Sequence, residues 1–166
     1  CGTCEAFCPR IEHVENRPAL VNYDPLCGLC FTYCPRTFLD MAEMERKLFG
    51  RTRNADEALG IYRKAVAAQA QPRQPGAQDG GVATALLVEA LQSEMIDCAI
   101  VTGRDEEWRS AARVATTADE IRSAAGTKYT ITNSVLAVKE ALESGFQKIG
   151  FVGTPCQIQG LRKVLL

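Results

Sequence analysis

The sequence predicts two segments: a short cysteine-rich α+β segment, followed by a domain of the α/β layer class. Six of the eight cysteines fall within the first 34 residues. A stretch rich in proline and glutamine at 71–76 has the composition of a linker. After Gly80, apolar strand candidates alternate with helical patterns, as in α/β folds. We therefore predict a cysteine segment at 1–50, a connecting segment at 51–78 and a second domain at 79–166.

The cysteine-rich segment contains an internal repeat. The sequence CGTCEAFCP at 1–9 returns as CGLCFTYCP at 27–35, so both copies have the pattern C-G-x-C-x-x-x-C-P. Between the copies, residues 14–21 are predicted to be extended, with a turn at 16–18. Disulfide frameworks belong to secreted domains, and no secretory leader is visible at the start of the chain. The clustered C-x-x-C pairs therefore favour a metal site.

Two kinds of metal site are compatible with the cysteine pairs. Thiolate sulfur is a soft donor that suits iron in a sulfide cage. In such iron–sulfur motifs the cysteine that provides the fourth ligand is followed by proline. Structural zinc sites also use C-x-x-C pairs. In zinc sites, however, two such pairs are not usually each extended to the longer pattern C-x-x-C-x-x-x-C-P. The pattern favours iron–sulfur clusters, and a zinc-stabilised interaction domain is the alternative.

Residues 1–35 resemble the bacterial two-[4Fe-4S] ferredoxins, which implies an α+β ferredoxin-like iron–sulfur segment. By motif position, the resemblance gives one cluster to Cys1, Cys4, Cys34 and a cysteine just before residue 1. It gives the second cluster to Cys8, Cys27, Cys30 and the residue at position 24. That residue is Asp24, where the ferredoxins have cysteine. Asp24 either ligates iron through oxygen or only begins a turn with Pro25.

Helices and strands beyond the repeats are predicted from caps and periodicity. Thr37 is expected to cap a helix that ends at Gly50, residues 51–60 read as a loop, and 61–66 fit a strand or a helix equally. A capping box at 117–120 begins a helix expected to end at Gly126. The remaining helices are predicted at 82–91, at 134–143 and from 156 onward, and the strands at 97–101, 113–116 and 148–152.

Four segments resemble the coenzyme F420 hydrogenase/dehydrogenase beta-subunit family. They read QDGGVATALL at 78–87, IDCA at 96–99, AGTKYT at 125–130 and GTPCQ at 153–157, in the family's order. The resemblance covers about residues 60–166 and implies an incomplete α/β flavin-binding domain. Members bind FAD beside a [4Fe-4S] cluster, and many exchange a hydride with coenzyme F420. Cys1 lies inside a motif and residues 161–166 read as an unfinished helix, so we expect a fragment of a longer protein.

The same resemblance implies the residues of a flavin site. The expected FAD-binding residues are Gln78, Asp79, Gly80, Gly81, Thr84, Gly126, Thr127, Lys128, Tyr129, Thr130 and Thr154. Glycines before a helix expose N–H groups to a pyrophosphate, although a plain glycine-rich helix start is the alternative. Cys156 is expected to ligate a third cluster whose other ligands lie beyond the chain. Cys98 is expected to be a buried apolar residue and His13 an exposed one.

These features predict a redox subunit that passes electrons between reduced coenzyme F420, FAD, [4Fe-4S] clusters and a partner. Expected partners are a hydrogenase, a formate dehydrogenase, a sulfite or heterodisulfide reductase, or a membrane dehydrogenase. The alternative is a ferredoxin-like electron-transfer module without flavin chemistry. A formal charge of −1 gives no attraction for nucleic acid, and no apolar run has the length of a membrane span. We expect a protein that is cytoplasmic or peripheral to a membrane complex.

Overall fold

The two cysteine repeats fold in the same way. The structure is a computed structural model that describes residues 1–14 and 17–165. Helices α1 (Thr3–Phe7) and α2 (Leu29–Tyr33) each follow a glycine in the left-handed region, with φ 85° at Gly2 and 65° at Gly28. The glycine in C-G-x-C is therefore needed for this turn of the backbone. The two helices pack together, and the rings of Phe7 and Tyr33 meet edge to face with centroids 6.5 Å apart.

A small antiparallel pair of strands lies between the repeats. Strand β1 (Ile11–Val14) pairs with β2 (Arg17–Leu20), and Val14 lies opposite Arg17. The prediction of extended chain is confirmed here for most of 14–21. The turn predicted at 16–18 is wrong for Arg17 and Pro18, which belong to β2, because the strands pair up to that point. Asn16, the first residue of the predicted turn, lies outside the described residues.

Helix α3 (Met41–Phe49) begins later than the sequence predicts. The carboxylate of Asp40, not Thr37, caps it, by accepting a 2.8 Å hydrogen bond from the backbone N–H of Glu43. The Thr37 hydroxyl instead donates to the carbonyl of Cys34 at 2.8 Å, so Thr37 closes the second cysteine repeat. Gly50 ends the helix as predicted, with φ 73°.

The second domain contains a mixed sheet with strand order β4-β3-β5. Strand β3 (Cys98–Arg104) is antiparallel to β4 (Ser110–Ala115) and parallel to β5 (Ile149–Phe151). The predicted α/β layer class is confirmed in this coarser form of a mixed α/β fold. Strands β3 and β4 extend beyond the predicted 97–101 and 113–116 because a tight hairpin joins them. In that hairpin the Asp105 carboxylate accepts backbone hydrogen bonds from Glu107 and Arg109 at 3.0 and 2.8 Å.

Helices cover both faces of this sheet. On one face, Ala99 and Val101 pack with α4 (Val82–Gln92) and α5 (Ala118–Ser123). On the other face, Cys98 and Ile100 pack with α6 (Ser134–Glu143), α7 (Pro155–Leu165) and α1. The alternation of side chains along β3 thus divides the core into two layers. The capping box is confirmed between Thr117 and Glu120, but α5 ends three residues before Gly126. Residues 61–66 form neither helix nor strand.

The cysteine segment is packed directly onto α7. Thr3 is fully buried, and a Cβ atom placed on Gly160 would lie 2.2 Å from the Thr3 Oγ1 atom. The Lys163 ammonium donates to the Cys34 carbonyl at 2.7 Å, the Thr37 hydroxyl at 2.8 Å and the Phe38 carbonyl at 3.0 Å. These contacts fix the cysteines relative to the second domain. Within the described residues, no helix has both the length and the apolar character that crossing a bilayer requires.

Candidate functional site

One cavity collects most of the residues that the sequence predicts to bind flavin. It has a volume of about 800 Å³ and lies at the carboxyl edge of the parallel pair β3 and β5. That size and that position suit a cofactor in an α/β fold. Ten of the eleven predicted residues line it: Gln78, Asp79, Gly80, Gly81, Thr84, Gly126, Thr127, Lys128, Thr130 and Thr154. Tyr129 does not, and its side chain points to solvent with 85% of the residue exposed.

The start of helix α4 forms one wall of the cavity. Gly81 precedes the helix with φ 64°, and within the described residues no side chain caps this helix end. The first backbone N–H groups of a helix have no partner within the helix, and they carry the positive end of its dipole. Residues 82–84, which provide these groups, line the cavity. This wall therefore suits a phosphate or pyrophosphate group.

The segment predicted as a linker supports this wall. The N–H of Ala70 donates to the carbonyl of Gly80 at 2.8 Å, and a Cβ atom on Gly80 would lie 2.4 Å from the carbonyl oxygen of Ala68. A Cβ atom on Gly126 would lie 2.8 Å from the carbonyl oxygen of Gly76. Two of the predicted site glycines are thus required for close packing against residues 68–76. Composition marked residues 71–76 as a linker within the connecting segment at 51–78 and gave no sign of these contacts.

Lys128 stabilises the end of helix α5. Its ammonium donates to the carbonyls of Ala124, Ala125 and Gly126 at 2.6, 2.8 and 2.9 Å. A lysine has three N–H donors, so in this conformation all of them are engaged by the backbone. Burial lowers the pKa of Lys128, and the nearby Arg104 and Arg113 lower it further. A contact of Lys128 with the flavin would require its ammonium to release one or more of these carbonyls.

Two cysteines reach the cavity from different parts of the chain. Cys1 and Cys156 both line it. The Cys156 sulfur is exposed and lies 3.2 Å from the Thr154 hydroxyl oxygen. Sequence reasoning missed Gln157, whose side chain accepts from the Thr154 N–H at 2.8 Å and donates to the Thr132 carbonyl at 3.0 Å. Gln157 is buried and joins two walls of the cavity, and its position after the T-P-C motif was the available signal.

The predicted cluster ligands come from both repeats. Burial raises the pKa of the Cys4 thiol, and the nearby Cys34 raises it further, so thiols of different repeats are neighbours. The N–H of Arg36 lies 3.4 Å from the Cys34 sulfur, in the position of a hydrogen bond to a ligating sulfur. Among residues 1–14 and 17–165, no three His, Cys, Asp or Glu side chains converge as for a single metal ion. In a cubane each thiolate binds a different iron, so its ligands lie farther apart, and the cluster assignment stays a prediction.

Asp24 occupies a turn. One carboxylate oxygen accepts from the Arg10 guanidinium at 2.8 Å, and the other accepts from the Leu26 N–H at 2.9 Å. The Asp24 carbonyl also accepts from the Cys27 N–H at 3.2 Å. Each carboxylate oxygen of Asp24 thus has one donor, and its ligation of iron stays a prediction.

The two residues expected to lie outside the chemistry differ in their contacts. Cys98 is fully buried, as predicted, and burial raises the pKa of its thiol. His13 is exposed, as predicted, but it also hydrogen-bonds across the two segments. Its Nδ1 atom lies 3.0 Å from a Glu5 carboxylate oxygen and 3.2 Å from the Asn133 amide nitrogen.

Comparison with known proteins finds a family that matches part of the chain. Residues 65–140 match the family described as coenzyme F420 hydrogenase/dehydrogenase, beta subunit N-term. The matched part is 76 of the 166 residues of the chain. The predicted resemblance to the F420 hydrogenase/dehydrogenase beta subunits is thereby confirmed, and the match includes the start of α4 and the loop at 124–130.

Two relatives with named functions are similar to part or nearly all of the chain. A coenzyme F420 hydrogenase subunit beta from Methanothermobacter thermautotrophicus is 45% identical over 109 residues, which are 63% of this chain and 39% of that protein. A coenzyme F420-dependent sulfite reductase from Methanocaldococcus jannaschii is 36% identical over 170 residues, which are 99% of this chain and 24% of that protein. This chain therefore spans less than half the length of either relative.

A solved structure shares the fold of about half of this chain. It is the F420-reducing [NiFe] hydrogenase complex from Methanosarcina barkeri, with 45% identity and a TM-score of 0.51. The match covers 54% of this chain and 31% of the chain in that complex. The similarity supports the mixed α/β architecture described above.

Proposed function

We propose that this chain is part of a flavin- and iron–sulfur-dependent oxidoreductase subunit. In this proposal the subunit exchanges a hydride between reduced coenzyme F420 and FAD, and relays electrons through [4Fe-4S] clusters to a partner. When bound, FAD and the clusters supply the change from two-electron to one-electron chemistry. The protein supplies binding, orientation and the exclusion of water. A partner such as a hydrogenase, dehydrogenase or sulfite reductase remains part of the proposal.

The observation that carries the proposal is the cavity. It gathers ten predicted flavin residues from three separate stretches of the sequence, and it also contains two cysteines. Its volume of about 800 Å³ lies in the range of pockets that bind cofactors. The residues present therefore fit a flavin with its anionic pyrophosphate.

Each wall of the cavity has a separate task in this proposal. The N–H groups at the start of α4 bind the pyrophosphate, because they are free donors at a positive helix end. Lys128 keeps the loop at 124–128 in place through its three hydrogen bonds to carbonyls. Gln157 holds Thr154 and Thr132 at a fixed separation. No side chain is required as a general acid or base.

The cysteines fit iron–sulfur ligation by their chemistry and position. Six thiols lie in two repeats that share the same helix start, and Cys4 of the first repeat is near Cys34 of the second. Cys1 lines the flavin cavity. A cluster held by Cys1, Cys4 and Cys34 would therefore border the flavin, which favours electron transfer over a short distance.

Cofactor analysis of the full-length protein tests the proposal. We expect iron, sulfide and FAD in protein purified without oxygen, and oxidation of reduced coenzyme F420 with an artificial acceptor. Replacement of Cys34 by Ala should remove roughly four iron atoms per chain, those of one [4Fe-4S] cluster. The matched variant Cys98→Ala should keep all its iron, because Cys98 is buried in the apolar core.

Three results would contradict the proposal in different ways. Iron and sulfide without flavin would leave an electron-transfer module only. Zinc without iron would indicate the zinc-stabilised alternative. Equal iron loss in Cys34→Ala and Cys98→Ala would show that the repeats are not the ligands.

A further inference from the structure

A second cavity adjoins the proposed flavin site and has a basic lining. Its volume is about 570 Å³, and it shares residues Gln78 and 125–128 with the first cavity. We name it the basic groove and define it by Arg104, Trp108, Arg113 and Lys128. Within the part of the chain that the structure describes, no aspartate or glutamate lines it. The motifs found in the sequence do not include Arg104, Trp108 or Arg113.

The charge in the groove is not neutralised by ion pairs. Among the described residues, neither Arg104 nor Arg113 forms a salt bridge, although the chain as a whole has 19 basic and 20 acidic residues. Several acidic groups on neighbouring elements have other partners: Asp105 pairs with Arg109, Asp119 with Arg122, and Glu120 accepts from the N–H groups of Thr116 and Thr117. All three cations line the groove, and burial together with the nearby Arg104 and Arg113 lowers the pKa of Lys128. Such a cluster favours an anion.

The fold holds both arginines in place. The Arg113 guanidinium lies against Gly103, where a Cβ atom would be 3.3 Å from the Arg113 Cζ atom, and it donates to the Ser123 hydroxyl at 2.5 Å. The Arg104 guanidinium stacks on Trp108, with its Cζ atom 4.8 Å from the ring centre. Trp108 has φ 63°, a conformation unusual for a residue with a side chain. Groups fixed in advance lose little entropy when a ligand binds.

We propose that the basic groove binds the anionic side chain of the deazaflavin substrate, through its phosphodiester and carboxylate groups. The inference rests on the proposed function. A guanidinium binds phosphate and carboxylate through paired hydrogen bonds, so two arginines match a chain that carries several such groups. Because the groove and the flavin cavity share a wall, a ligand anchored in the groove can place its ring system at the cavity. The groove would select for substrates that carry the charged side chain.

The test compares two deazaflavins on the full-length protein without oxygen. One is coenzyme F420, and the other is the ribityl deazaflavin that lacks the phosphate and carboxylates. Arg104→Gln and Arg113→Gln should each raise the KM and the Kd for coenzyme F420 roughly ten-fold, because a hydrogen bond to a charged group is lost. Constants for the truncated deazaflavin should not change. Added salt should weaken binding of coenzyme F420 alone.

Controls separate this assignment from the proposed function. Arg122→Gln removes an arginine that pairs with Asp119 and lines neither cavity, so it should leave both deazaflavins unaffected. FAD content should remain at the wild-type level in every variant. Equal weakening for both deazaflavins, or loss of FAD from the arginine variants, would overturn the groove assignment. A wild-type protein that oxidises neither deazaflavin would overturn the proposed function itself.

Discussion

Replacing Gly160 by alanine tests whether the cysteine segment is packed onto α7. Gly160 lies inside the helix, where Thr3 of the cysteine segment approaches its backbone. A Cβ atom at Gly160 would lie 2.2 Å from Thr3 Oγ1, 3.1 Å from its Cβ and 3.2 Å from its Cγ2. Thr3 has no exposed surface and little room to move away. The substitution should therefore separate α1 from α7.

The expected magnitude follows from two opposing effects. Alanine is favoured over glycine in a helix by about 1 kcal/mol. Overpacking a closed contact costs about 1–3 kcal/mol, and three short distances to one buried side chain favour the upper end. We expect a net decrease in the free energy of unfolding of about 1–2 kcal/mol. In a domain of this size that corresponds to a lower melting temperature by roughly 2–8 °C.

Thermal unfolding of the full-length protein measures the effect, and Thr3→Ala provides the matched partner. Thr3→Ala removes the two side-chain atoms of Thr3 beyond its Cβ. In a protein that carries Thr3→Ala, Gly160→Ala should therefore lower the free energy of unfolding by less than it does in the wild type. The two substitutions should show a coupling of at least about 0.5 kcal/mol, as expected for residues in contact. A Gly160→Ala variant that is as stable as the wild type, or more stable, would refute the packing described here.

Three further perturbations have defined expected outcomes. Thr117→Ala removes the capping box of α5 and should lower stability by about 1 kcal/mol in a thermal melt, whereas an unchanged melting temperature would contradict the cap. Hydrogen bonds from Arg51 and Asn54 lower the pKa of Glu57 from its usual 4.5 to about 2. Glu57 therefore contributes stability above pH 4.5 that is lost toward pH 2, so the melting-temperature gap between wild type and Glu57→Gln should narrow over that range. Cys98→Ser buries a hydroxyl in the apolar core and should destabilise the protein by about 1–3 kcal/mol, while Cys98→Ala should cost less in the same melt.

Local sequence patterns predicted the parts of the fold that depend on neighbouring residues. The capping box at Thr117, the helix end at Gly50 and the helix at 134–143 were confirmed, because a cap or a glycine in the left-handed region acts within one turn. The two copies of the C-G-x-C repeat have the same left-handed backbone conformation at Gly2 and Gly28. The predicted cap of α3 was wrong, because Asp40 and Thr37 are both good capping residues. The packing of the second repeat, where Thr37 donates to the Cys34 carbonyl, leaves Asp40 as the cap.

The family resemblance gave a list of expected flavin residues, but only the tertiary structure showed that ten of them line one cavity. The tertiary structure also showed that Lys128 donates to backbone carbonyls and that the side chain of Tyr129 faces solvent.

By itself, the sequence determined the repeat of cysteines, the family and the α/β class, since each is written in residue order and spacing. The tertiary structure decided that the stretch at 68–76 supports the site, that Cys1 reaches the cavity, and that Arg104 and Arg113 meet in one groove. These outcomes depend on contacts between residues far apart in the chain. No local propensity encodes such contacts, because they arise only when the sheet and its helices bring separate segments together.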